Sequence, residues 1–529
     1  MSFDLIPEPQ SVTLNGEAAD SDDAGAPVPV ALPLVGRISE DRDIDDIAGV
    51  FPTQLADDIE AATGLRWDIA SDVMVAGLPA PNAAIAHPVP PHASCWKSFI
   101  TLRLDPSSLE PQEYRLTIAR SGIDVVGGDT EGVRNGVQTL RQIIRQCAPA
   151  LPRLVIADKP AYKVRGYYLD ATRGRVPTLD WLKTWADRLC LYKYNQLQLY
   201  IEHTFMFDDL SETWRGTSPL KPADIIAFDE YCARLGIELV PSVSTFGHQY
   251  MAMRTRELRH LGEFPEDADR RYGFVERQRH HTLNITEPES LAFSFKLIDA
   301  YMQLFRTRKF NICGDETFDL GRGRSKPEAE RRGVAAMYAD FVSQLCRHLS
   351  ERGREPMFWG DIAVEMPQIL GLLPDNVTLL NWLYAPGIGE DKVRLVAQAG
   401  APQYVCSAVW CWNALLPRLD DSWNNISRLA RYGVKYGAVG YLVTDWGDYG
   451  HVNDPRMAVS GMIFGAQCAW NPMAHIQGEA GCGDGEEGSA AGYADAAADV
   501  VRENKAAADG DSPAPLPSSS ESDDYTRSE

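Results

Sequence analysis

Apolar residues keep two different periods along this chain, and the change between them divides it. In the first 150 residues the pattern is mixed. Phe51 to Thr63 carries a helical stripe that stops at Gly64, while 98–104, 113–118 and 122–126 alternate as half-buried strands do. An amphipathic stretch, 131–147, follows with Val133, Val137, Leu140, Ile143 and Ile144 along one side. Strands closed by a packed helix predict a small α+β domain over 1–150.

From Val164 the texture becomes a regular exchange of strand and helix. Strands are predicted over 164–171, 195–202, 236–244, 310–316, 357–363, 377–384, 404–410 and 439–446, each followed by an apolar helical segment. Helices are predicted from Thr178, over 222–235 between Pro222 and Gly236, over 288–308, over 327–352 and over 455–469. Thr286 and Glu289 give the 288 helix the spacing of a capping box. Eight such units in about 310 residues predict the α/β class and a closed (β/α)8 TIM barrel over 160–475. An open doubly wound sheet is the alternative, but no glycine-rich phosphate loop follows the first strand. Beyond Ala474 the chain turns to Gly, Ala, Ser, Asp and Glu, which predicts a disordered acidic tail over 476–529 with a transient helix at 490–505. The Ala/Pro-rich patch 20–29 reads as a flexible loop.

Charge changes this picture in one respect. The net charge of the 529 residues is −23, and thirteen acidic residues against three basic ones fall within 479–529. An acidic balance argues against nucleic acid and against an anionic membrane as partners. No apolar run approaches the roughly 20 residues that span a bilayer, and Met1-Ser2-Phe3-Asp4 lacks the basic start of a leader. Ten cysteines are scattered singly, as reduced buried thiols are. Together these predict a cytoplasmic protein.

Candidate chemistry concentrates at the predicted strand ends, which share one face in a barrel. Taken by strand these are Arg165 and Asp170 with Arg173 beyond, Glu202 and His203, His248, then the adjacent pair Asp315-Glu316. Trp359 and Asp361, Asn381, Trp382 and Tyr384, Trp410, Trp412 and Asn413, and Asp445, Trp446, Asp448 and His451 complete the set. Asp-Glu alone reads by default as two solvated acids at a loop start, since acids are mostly exposed. Many carboxylates among many tryptophans suit a sugar, whose C–H faces stack while its hydroxyls need donors and acceptors. No His-x-His or Cys-x-x-Cys spacing points to a metal, and no cofactor is expected.

Arg165-Gly-Tyr-Tyr-Leu-Asp170, Lys193-Tyr-Asn195, Phe246-Gly-His248 and Cys313-Gly-Asp315-Glu316 occur in this order at barrel strands one to four. With Trp359-Gly-Asp-Ile, Leu442-Val-Thr-Asp-Trp446-Gly-Asp448 and the helix segment from Gly132 to Arg141, the chain resembles glycoside hydrolase family 20, the β-N-acetylhexosaminidases. The resemblance covers about 110–470 and implies substrate-assisted catalysis, in which the 2-acetamido oxygen of the sugar attacks the anomeric carbon. Glu316 would be the general acid and Asp315 the ionised partner of the acetamido N–H. Sequence neighbours are poorly placed for the ordinary two-carboxylate mechanisms, which need groups roughly 5 to 9 Å apart across the bond. By the same resemblance Arg165 would hold ring hydroxyls with Asp448, and Trp359, Trp382 and Trp446 would line the sugar. His248 would support Glu316.

Two positions depart from the family pattern. Glu202-His203 stands where relatives carry paired Asp residues, and the seventh strand, Ser407 to Asn413, lacks a Tyr-x-Asp, leaving Tyr384 as the candidate donor to the acetamido oxygen. The implied activity is the exo-acting release of terminal N-acetylglucosamine or N-acetylgalactosamine from small oligosaccharides. A barrel that binds sugar without turnover, a metal-dependent hydrolase and a glycosidase pairing Glu202 with Glu316 are the rivals. Homo-oligomer contacts are left open by the way the chain ends after the eighth helix.

Overall fold

The computed structural model describes residues 3–14, 28–70 and 98–474. The acidic tail, its transient helix and most of the 20–29 patch lie outside the described residues. The predicted barrel is present. Eight parallel strands close on one another in chain order: Arg165–Asp170, Gln196–Ile201, Glu238–Val243, Lys309–Asn311, Glu355–Trp359, Thr378–Trp382, Gln403–Ala408 and Gly440–Asp445. The ring shuts where Arg165 lies opposite Tyr441 and Leu169 opposite Asp445.

Local signals explain several of the helices. Thr178 caps the first, Leu179–Leu191, by accepting the Trp181 N–H. Pro222 opens Pro222–Arg234, and Gly64 ends Val50–Thr63 in the left-handed conformation. Three expectations need correction. The helix after the third strand is Pro288–Met302 with Glu287 at its cap, so there is no capping box. Thr286 instead donates to Asn284 at 2.7 Å, and Glu289 reaches His260 at 2.9 Å. The single helix predicted over 327–352 is two, Lys326–Arg332 and Val334–Glu351, broken at Gly333 with a φ of 82°. The fourth strand stops at Asn311, well short of Glu316.

The amino-terminal unit is a seven-stranded mixed sheet, with Val50–Thr63 and Thr130–Cys147 packed against it. Its strand Leu154–Asp158 pairs with both Ser11–Leu14 and Tyr114–Ala119, so the sheet runs to residue 158 rather than ending at 150. Asp129 caps Thr130–Cys147 through the Gly132 N–H. That helix also fastens the sheet to the barrel. Arg134 is buried and donates to the carbonyls of Tyr194, Leu235 and Gly236 at 3.1, 3.1 and 2.5 Å. Trp470, at the end of the last barrel helix, sits in the sheet's core and donates to Asp158 at 3.0 Å.

Candidate active site

The two acids leave the barrel through a turn held at nearly every residue. Asn311, last in the barrel's shortest strand, accepts the Cys313 N–H on its side chain at 2.9 Å. The Cys313 carbonyl accepts from Trp359 N–H at 3.0 Å, Tyr338 donates to the Gly314 carbonyl at 2.7 Å, and Asp361 accepts the Glu316 N–H at 3.1 Å. Cys313, Gly314 and Glu316 all have positive φ, at 59°, 82° and 47°. Such backbone persists only where its surroundings impose it, and it concentrates at functional sites. On the other side the loop Phe246-Gly247-His248 lies so close that a Cβ on Gly247 would meet the Asp315 carbonyl at 2.5 Å.

The turn aims the acids differently. The Asp315 side chain is 10% exposed and that of Glu316 35%, so one is sunk and the other open. His248 Nε2 stands 3.6 Å from Asp315 and 3.4 Å from Glu316. These separations make an ion-paired contact rather than well-formed hydrogen bonds. Burial disfavours a charged imidazole, yet the two carboxylates outweigh it and raise the His248 pKa to about 10. Among the described residues these three form the group whose ligand atoms lie within 4.8 Å of one another. A protonated His248 already supplies the positive charge that such a pair of acids calls for.

A second cluster adjoins the first. Arg173, nine-tenths buried or more, touches Asp448 at 2.9 Å, Glu202 at 3.3 Å and Asp170 at 3.5 Å. Its guanidinium lies over the rings of Trp446 and Tyr200, at 5.1 and 5.2 Å. Glu202 also accepts from Tyr200 at 2.9 Å. Burial alone would raise its pKa, but His203, Arg173 and His248 together take it down to about 2. Asp448 is pushed the other way, to about 6, by burial and by Asp170 and Glu316, against the pull of Arg173.

Arg165 is not part of this cluster. It sits at the opposite, amino end of the first strand, 1% exposed, bonded to Glu131 at 2.8 Å and Gln112 at 2.6 Å. It also donates to the carbonyls of Tyr162 and Lys193. A six-residue strand crosses the barrel, so only its last residue and the loop beyond reach the mouth. Arg165 therefore fastens the barrel to the sheet domain, and the arginine beside Asp448 is Arg173. The spacing Asp170-x-x-Arg173 was the available signal.

The aromatic residues meet as a wall. Trp446 lies 5.6 Å from Trp359 and 4.7 Å from Tyr168. Its indole N–H donates to the Tyr384 hydroxyl at 2.7 Å. Trp382 and Trp412 pack on Tyr384 at 5.0 and 5.6 Å. Trp359 itself is wholly buried in the barrel interior beneath this wall, with its indole N–H unpartnered.

These features can be set beside known proteins. Residues 162–412 match the description "Glycosyl hydrolase family 20, catalytic domain", and residues 43–159 match "Glycosyl hydrolase family 20, domain 2". The chain belongs to glycosyl hydrolase family 20. A lacto-N-biosidase of Bifidobacterium bifidum is 26% identical over 315 residues, which is 56% of this chain and 26% of that protein. A beta-hexosaminidase of Akkermansia muciniphila is 30% identical over 341 residues, 58% of this chain and 65% of that one. The chain thus matches less than two-thirds of the length of either. A solved beta-N-acetylhexosaminidase of Bacteroides fragilis has the same fold, with a TM-score of 0.65 over 96% of this chain and 95% of its own, at 17% identity.

In this family 20 chain two tryptophans, Trp410 and Trp412, follow the seventh strand. Trp410, with a φ of 53°, donates to the Tyr384 carbonyl at 2.8 Å and stacks on Trp412. So Tyr384, just past the sixth strand, is held from the segments that follow the seventh and eighth strands. The long loop after the third strand, which no periodicity foretold, folds into the helical turn Tyr250–Met253 and short 3-10 turns. It then crosses to the eighth strand's loop, where Gln278 donates to the Asp448 carbonyl at 2.6 Å and Phe274 faces Gly450. No helix among the described residues is long and apolar enough to cross a membrane.

Proposed function

We propose that the chain is an exo-acting β-N-acetylhexosaminidase that removes terminal N-acetylglucosamine or N-acetylgalactosamine from small oligosaccharides by substrate-assisted, retaining catalysis. The observation that carries this reading is the unequal pair: a sunk Asp315 and an open Glu316 on consecutive residues, with His248 against both. Consecutive residues in one turn suit a single proton donor and a fixed anion on the same side of the sugar, and the substrate's acetamido oxygen then supplies the nucleophile. Glu316 donates a proton to the leaving oxygen and later takes one from water. Asp315 stays negative, accepts the acetamido N–H and balances the charge of the oxazolinium ring.

Arg173, Asp448 and Glu202 provide donors and acceptors for ring hydroxyls, with Trp446 and Trp382 as the stacking surface. Tyr384 accepts from Trp446, which leaves its own proton for the acetamido oxygen. Glu202 is disfavoured as a nucleophile because Tyr200 and Arg173 already hold the same oxygen of its carboxylate. Phe274 and Gln278 bring their loop against that of Asp448 and Gly450, beside the Arg173–Asp448 pair, which favours a short site for one sugar. The likeness to a lacto-N-biosidase makes release of a disaccharide the second outcome to score. Cys147, Cys190, Cys232, Cys313, Cys346, Cys406 and Cys411 carry free thiols, which supports a reducing, cytoplasmic setting.

The test is hydrolysis of p-nitrophenyl N-acetylglucosaminide and of chitobiose, with products sized by mass spectrometry. Glu316→Gln should abolish turnover of chitobiose, and Asp315→Asn should cost several kcal/mol of transition-state stabilisation on both substrates. A thiazoline mimic of the cyclic intermediate should inhibit far more tightly than the product sugar. Near-normal activity of Asp315→Asn, or indifference to the thiazoline, would defeat the assisted mechanism.

A further inference from the structure

The main chain of Glu316 is gripped by a carboxyl for which the reaction above has no use. Asp361 opens the short helix Asp361–Glu365, just after Trp359 ends the fifth barrel strand. Its Oδ2 accepts the Glu316 N–H at 3.1 Å, while its Oδ1 is buried without a hydrogen-bond partner. A buried unpaired polar atom is costly and needs a reason. The residue it grips has a φ of 47°, which a non-glycine residue adopts only under constraint.

The titratable groups that face Asp361 are Asp315 and Glu316 from the turn, Glu365 from its own helix and Tyr338 from Val334–Glu351. Those acting on it most strongly are acidic, so no ion pair explains why a carboxyl stands there. A hydrogen-bond acceptor at this point is what the turn requires.

We infer that Asp361 is a positioning residue for Glu316: by accepting its main-chain N–H, it fixes the left-handed turn from which the Glu316 carboxyl reaches the barrel mouth. It does so uncharged. Burial first, then Asp315, hold its carboxyl well above the usual carboxylate range, so it adds no negative charge beside the acid pair. The inference rests on the reading of Glu316 as the general acid.

Two substrates separate this role from a general loss of structure. Chitobiose needs a proton on its leaving sugar, whereas 2,4-dinitrophenyl N-acetylglucosaminide loses its leaving group without one. In the full chain, Asp361→Ala should lower kcat/KM on chitobiose by about 10- to 100-fold, the scale of a misplaced catalytic group. On the dinitrophenyl substrate it should lower kcat/KM, which ends at departure of the leaving group and leaves out the later proton taken from water, by no more than about threefold. Asp361→Asn keeps an acceptor of the same reach and should stay within about threefold of the parent on each. Should Asp361→Ala not fold by circular dichroism, Asp361→Ser, too short to reach the N–H, is scored by the same criterion. Equal losses on the two substrates, no loss on chitobiose, or an Asp361→Asn as impaired as Asp361→Ala would overturn the positioning role. A parent inactive on both substrates would overturn the reading of Glu316 and this inference with it, whereas an active parent with undiscriminating variants overturns the role of Asp361 alone.

Discussion

Two arginines on one strand and its following loop give the sharpest test of the site, because they differ in place and not in burial. Both are buried. Arg173 touches three carboxylates at the mouth, Asp448, Glu202 and Asp170, at 2.9 to 3.5 Å. At an effective dielectric constant of 20 each contact is worth roughly 5 kcal/mol before desolvation. Removing the cation strands buried acids, and the net cost of breaking such a pair is about 3–5 kcal/mol. Arg165 has a comparable stake at the other end, where Glu131, Gln112 and several carbonyls depend on it, and burial brings its pKa down to about 10. Arg165→Met should therefore also lose about 3–5 kcal/mol of stability.

Function should separate what stability does not. Arg173 has N–H groups left to reach sugar hydroxyls, and each charged hydrogen bond lost is worth about 1.5–3 kcal/mol. Arg173→Met should then lower kcat/KM for chitobiose by roughly 10²- to 10⁴-fold, two such bonds being lost. Arg165→Met, assayed at 15 °C where it remains folded, should stay within about threefold of the parent. Urea unfolding followed by tryptophan fluorescence gives the stability of each variant, and initial rates give the kinetics. An Arg165→Met that folds but loses a hundredfold or more in kcat/KM, beside an active Arg173→Met, would refute the placement of both residues.

The remaining predictions concern protons and metal. The His248 pKa is raised to about 10, against about 6.5 for a free histidine, so its stabilising effect is complete below pH 6.5 and is lost as pH rises through 10. Thermal melts between pH 6.5 and 10 should accordingly fall more steeply for the parent than for His248→Gln, and equal slopes would count against the ion-paired trio. Asp445, buried where Tyr167 donates to it at 2.8 Å, has its pKa pushed up to about 7, chiefly by burial. Its ionisation disfavours the folded state as pH rises from about 4 through 7. Asp445→Asn should leave stability at pH 4 unchanged and raise it at pH 8, with no gain at pH 8 contradicting the argument. Because a protonated His248 already meets the acids, EDTA should leave hydrolysis of p-nitrophenyl N-acetylglucosaminide unchanged, and loss of rate restored by zinc would refute that account.

What the sequence could and could not tell follows from how far each signal acts. The eight strands and their helices were legible because a barrel buries each strand on both faces, and the signal is carried by four to eight adjacent residues. Arg165 was misplaced because a pattern locates a residue in a strand without saying which end it occupies, and the two ends of a barrel strand meet different neighbours. The turn from Asn311 to Glu316 was invisible as a turn for a related reason. Its apolar residues extend the strand pattern, and what ends the strand is the set of bonds from Tyr338, Trp359 and Asp361, all remote in sequence. The same dependence explains why the strand is short. Three residues of ladder leave the next five free to take positive φ at three of them, and only that path sinks Asp315 while turning Glu316 outward. A longer fourth strand would alternate the two side chains across the sheet, one into the barrel and one into the helices, and the acids could not share a face. The irregularity that defeated the pattern is thus the feature that brings neighbouring acids to one site.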